Sequence, residues 1–128
     1  VQESVGPYQT SLNLLPQSGL IRTALAHAQI ETAGEDTKKL QIAINNLNRA
    51  ARNEPRSPRI QRLLATAYGR QGNDAMAHLH LAEEALLQQK NSDAQRQATI
   101  ALKSLPAESS AALRANDILL YIKQKKKR

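Results

Sequence analysis

Hydrophobic positions recur at intervals of three and four along almost the whole chain, and no stretch alternates with period two over the length of a strand. This pattern predicts helices and no sheet. The apolar stripes place one helical segment over residues 1–14, kinked at Gly6-Pro7, and six helices over residues 19–32, 37–53, 58–72, 74–89, 92–104 and 110–123. Local signals sharpen four of the boundaries. Asp36 stands where an N-cap is wanted, Ser57 is followed by Pro58 at the first helical position, and Asn73 precedes the fourth helix. Gly72 marks the end of the third. The connections are short, so neighbouring helices are expected to run antiparallel.

The pattern repeats. Ala43, Leu47, Ala50 and Pro55 have the same spacing as Ala94, Ala98, Ala101 and Pro106. Ser4, Tyr8 and Ser11 before Pro16 form a degenerate copy. This spacing resembles the second half of the 34-residue tetratricopeptide repeat, A-x3-F-x2-A…P. Leu64, Ala65 and Tyr68, with Gly72 beyond them, resemble its first half, and Leu25, Ala26 and Gln29 are a weaker copy. The resemblance implies an all-α, tetratricopeptide-like solenoid of helical hairpins over residues 1–122. Leu81, Ala82 and Ala85 fit a first helix, while Ala77 and Leu81 fit a second, so the fourth helix is expected to serve both roles. The lone second helix at the start suggests a fragment of a longer protein.

Two longer stretches carry a narrower resemblance. They are Ala65-Thr-Ala-Tyr-Gly-Arg-Gln-Gly with Leu81-Ala-Glu-Glu-Ala-Leu, and residues 94–119 with Arg96-Gln97, Leu105-Pro106 and Asp117-Ile-Leu. From about Ser18 to Leu120 the sequence resembles the C-terminal repeat domain of bacterial BepA-type zinc metallopeptidases. That resemblance implies a periplasmic module that docks substrates or partners in envelope protein quality control, with zinc held by an H-E-x-x-H helix in a separate N-terminal catalytic domain. No H-E-x-x-H occurs here, so the family's catalytic and zinc residues map to no position of this sequence.

Composition supports helix packing and narrows the chemistry. Hydrophobic residues make up 41%, yet the only aromatics are three Tyr, while there are 20 Ala. Such a core needs closely approaching helix backbones, with Tyr68, Leu47 and Leu64 expected to be buried between the helices. The absence of Cys excludes a disulfide scaffold, a thiolate zinc site and a cysteine nucleophile. No apolar run is long enough to span a bilayer, and no signal-peptide pattern opens the sequence. The net charge of +7 is concentrated at one end. Lys123, Lys125, Lys126, Lys127 and Arg128 supply five of the 18 basic residues, leaving 13 against 11 acidic.

Candidate binding residues follow from helical spacing. Arg59, Arg62, Thr66 and Arg70 form one stripe of the third helix. In a tetratricopeptide solenoid the first helix of each pair lines the concave groove. The resemblance therefore places this stripe in a partner-binding groove, extended from the first helix by Thr23 and His27 with Glu31. Arginine donates bidentate bonds to carboxylates, so an acidic segment or a polypeptide C-terminus is the implied ligand. The competing reading is a solvated helix face.

The basic run over 123–128 reads as a disordered tail, with attraction to anionic lipid or nucleic acid as its functional alternative. Nucleic-acid recognition is disfavoured because no aromatic interleaves with the lysines. His78 and His80 lie two residues apart and point to different helix faces. With Glu83 and Glu84 they read as locally paired rather than as metal ligands. No Gly-rich phosphate loop, metal cluster or nucleophile–His signature appears. The expectation is therefore no catalytic residue, metal or cofactor in this sequence.

Overall fold

A computed structural model describes residues 19–127 of the protein. Among these residues the fold is all-α, with six helices and no strand: α1 (Gly19–Ala33), α2 (Thr37–Asn53), α3 (Pro58–Arg70), α4 (Asp74–Leu87), α5 (Asn91–Ser104) and α6 (Ser110–Lys126). The segment over 1–14 and the repeat copy before Pro16 lie outside the described residues.

Capping explains the boundaries. The Asp36 carboxylate accepts from the amides of Lys38 and Lys39 at 3.0 and 3.2 Å. Ser57, Asn73 and Ser109 each accept one first-turn amide, from Ile60, Met76 and Ala112. Each bond satisfies a donor that has no partner inside its helix. Helix α3 ends where Gly72 adopts φ +84, which lets the Asn73 amide reach back to the Tyr68 carbonyl at 2.9 Å. The α4–α5 turn repeats this closure, with Lys90 N–H on the Ala85 carbonyl at 2.8 Å. There the left-handed position is held by Gln89 at φ 61.

Consecutive helices pack against each other. The alanine spacing seen in the sequence is the packing code: Ala43, Leu47 and Ala50 on α2, and Ala94, Ala98 and Ala101 on α5, all have 0% exposure. Two cores result. One joins Ala26 and Ile30 of α1, Leu40, Ile44 and Leu47 of α2, and Ile60 and Leu64 of α3. The other joins Leu79 and Ala82 of α4, the three α5 alanines, and Ala115, Ile118 and Ile122 of α6. Helix α4 contacts α3, α5 and α6. It is apolar on several faces, as a helix with neighbours on several sides must be.

Three expectations need correction. Tyr68 is only partly buried and packs at the edge of the first core, whereas Leu47 and Leu64 lie fully inside it. Thr23 is buried at 4% exposure. It belongs to the core stripe of α1 formed by Gly19, Thr23, Ala26, Ile30 and Ala33, and its hydroxyl donates to the Gly19 carbonyl at 2.7 Å. A side chain so enclosed cannot line a groove. Lastly, α6 runs through Lys126, so Lys123, Lys125 and Lys126 are helical rather than a disordered tail. Lysine is a good helix former, and the buried Ile122 anchors that last turn. Lys127 is the C-cap, and Arg128 lies outside the described residues.

Candidate functional site

The α3 stripe is exposed at Arg59, Arg62 and Arg70, but its members differ in what they do. Arg70 donates from Nη1 to the Ile30 carbonyl at 2.9 Å. That carbonyl belongs to the last turn of α1, where helix carbonyls lack partners, so Arg70 closes the end of a neighbouring helix. Thr66 donates to the Arg62 carbonyl of its own helix at 3.1 Å. Arg59 Nη2 lies 3.3 Å from His27 Nδ1. Arginine can only donate, so Nδ1 accepts, and the ring proton on Nε2 points to Glu31 Oε1 at 3.0 Å. Arg59, His27 and Glu31 thus form a relay across α1 and α3.

Arg62 is arranged differently. Its Nε lies 3.2 Å from Glu84 Oε2 of α4. The carboxylate side chain is 13% exposed and the arginine 61%. The acid is recessed and the cation stands above it. Because the bond uses Nε, the two terminal nitrogens of the guanidinium remain for an incoming group. Arg62 and Glu84 line an open cleft of about 230 Å³ between α3 and α5, floored by Leu81 and Ala85 of α4. Lys90, Asp93 and Arg96 complete its charged wall, with Arg96 Nη2 on Asp93 Oδ1 at 3.0 Å. Three cations therefore face two acids.

Helical spacing singles out Arg62 but does not join it to Lys90, Asp93 and Arg96, which line the same cleft. The last two are an i,i+3 pair on a different helix, and nothing in their local spacing links them to a residue more than 30 positions away.

The histidines of α4 pair separately. His78 Nδ1 donates to Gln97 Oε1 at 2.6 Å, and His80 Nδ1 to Gln61 Oε1 at 2.7 Å. Burial lowers the His80 pKa to about 4, against a smaller upward pull from Glu83. Glu83 instead reaches α6, where Arg114 binds it through Nε at 2.7 Å and Nη2 at 2.6 Å. This two-point bond holds Arg114 above its ordinary pKa. Among the described residues no group of three or more His, Cys, Asp or Glu is placed to hold a metal, and no helix is long and apolar enough to cross a membrane. Comparison of the sequence with protein-family models, curated proteins and solved structures returned no match.

Proposed function

We propose that this protein is an interaction module that docks an acidic peptide segment, or the carboxylate end of a polypeptide, in the cleft between α3 and α5. The observation that carries this reading is Arg62, whose partner Glu84 lies beneath it and whose terminal nitrogens are free. A guanidinium held by Nε presents its remaining donors in the fork that suits a carboxylate. Lys90 and Arg96 add positive charge on the opposite wall, and Arg59 extends it along α3. Helix-borne side chains hold such groups more rigidly than a loop does.

The wider setting rests on the sequence resemblance. In this proposal the helical hairpins are a tetratricopeptide-like array and the C-terminal part of a periplasmic zinc-dependent endopeptidase, whose metal belongs to a separate catalytic domain. Reading the coding sequence upstream of Val1 tests that setting: an H-E-x-x-H helix supports it, and an immediate start codon removes it.

Calorimetric titration tests the docking itself. Asp/Glu-rich peptides with free and with amidated C-termini should bind more tightly than a Lys-rich control. Arg62→Glu should abolish that binding while circular dichroism remains helical. Equal binding of acidic and basic peptides would overturn the proposal.

A further inference from the structure

A second surface lies at the far end of the molecule, between α5 and α6. An open cleft of about 470 Å³ has Leu119 and Ile122 at its base, Gln95 and Thr99 on the α5 wall, and Lys123, Lys126 and Lys127 on the other. No acidic residue lines it. Because α6 continues through Lys126, these amines are held on helical turns. Lys126 Nζ bonds Gln95 Oε1 at 3.1 Å across the cleft. On the adjoining outer face, Leu113, Leu120 and Tyr121 are 58%, 53% and 50% exposed. They are three of the five large hydrophobics exposed among the described residues, and all three stand on this one helix. Lys125 Nζ lies 5.7 Å from the centre of the Tyr121 ring.

We infer that the C-terminal half of α6 is a docking face for an anionic bilayer surface. Leu120 and Tyr121 enter the headgroup region while the neighbouring lysines reach lipid phosphates. Three features select a membrane over a folded partner. Apart from the exposed Asp117 one turn earlier, the charged groups of this half of the helix are lysines, which act as compact point charges without the planar fork that fixes a carboxylate. The apolar residues sit on the same turns as the amines, so lysine stems can lie along apolar ground while their heads stay in water. Tyrosine beside a basic cluster suits the membrane–water boundary. This face is separate from the α3–α5 cleft, so either proposal can fail without the other.

Co-sedimentation of the full-length protein with vesicles tests the inference. One set is phosphatidylcholine alone, and the other contains phosphatidylserine in addition. The protein should pellet only with the second. Each amine near the surface contributes roughly fivefold in partitioning. The triple variant K123Q/K126Q/K127Q should therefore bind on the order of a hundredfold more weakly. The variant L120S/Y121S, which alters only exposed positions, should also lose most binding. Absence of binding to phosphatidylserine vesicles at low salt overturns the inference. So does binding that L120S/Y121S leaves unchanged, because the attraction would then be charge alone without docking of this face. Recruitment by an acidic peptide through the same lysines, with no vesicle binding, overturns it in favour of a protein partner.

Discussion

The rings of Tyr68 and His80 stack across the α3–α4 contact, with centroids 5.5 Å apart and planes inclined by 5°. One ring borders the core of α1–α3, and the other comes from the helix that opens the core of α4–α6. Gln61 accepts from His80 at the same junction. Two largely separate apolar clusters are thus joined through a partly polar seam. Burial raises the Tyr68 phenol above its ordinary pKa, and a bond with Asn48 partly offsets this.

Tyr68→Ala is expected to destabilise the protein by about 2 kcal/mol. That is below the roughly 3–5 kcal/mol typical of a fully buried aromatic, because this ring sits at the edge of the core. Leu47→Ala, at 0% exposure, should cost more, about 3–4 kcal/mol. Urea unfolding curves rank the two, and a larger loss for Tyr68→Ala would contradict the assigned burial.

Stability should fall as pH drops from about 6.5 towards 4. The folded-state pKa of His80 is lowered to about 4, so the unfolded polypeptide binds the extra proton first, and stability rises with pH across that window. Relative to neutral pH, the loss at about pH 5 should be on the order of 2 kcal/mol. Gln61 and Tyr68 from α3 touch this ring, and Glu83 from α4 itself acts on it electrostatically. His80→Gln removes the titration, so urea midpoints of that variant should move clearly less between pH 7 and pH 5. An equal shift in both proteins would assign the effect to other groups.

Much of the fold was legible because its signals are local. Asp36, Ser57 and Asn73 cap the helices predicted from them, and the equivalent alanines of α2 and α5 are equally buried. The site was less legible because it depends on how helices cross. Arg62 meets Glu84 across 22 residues, a pairing that no helical spacing encodes. Thr23 shares its spacing with His27 and Glu31, yet it falls on the core stripe, where its hydroxyl is satisfied within its own helix and burial leaves no polar atom unpaired. The lysine run hid the end of α6 because charge interrupts an apolar pattern without interrupting a helix.

Gln89→Gly should stabilise the protein by about 0.5–1 kcal/mol. Gln89 occupies a left-handed conformation, φ 61, which costs a side-chain-bearing residue roughly 1–2 kcal/mol. Glycine avoids that cost but loses more entropy on folding. Gly72 already fills the corresponding place after α3. Thermal unfolding should show a higher midpoint, and a lower one would mean that the Gln89 side chain makes a compensating contact.

Ala98→Leu should destabilise by about 1–3 kcal/mol, because the added volume must fit between α5 and its neighbours at a position with 0% exposure. Unfolding curves check this. A neutral result would mean that the alanine spacing does not set the helix separation.

Binding of the acidic peptide, measured by calorimetry at low and at physiological salt, tests the central claim most directly. Two variants are compared with the parent protein: R59E/R62E in the α3 stripe, and K123Q/K126Q/K127Q on α6. A rigid cleft predicts that the first abolishes binding at both salt concentrations. The second should weaken it modestly and mainly at low salt, since exposed charges are screened beyond ~8 Å at physiological ionic strength. If the lysine variant abolishes binding while R59E/R62E binds as the parent does, the α3–α5 cleft is not the docking site.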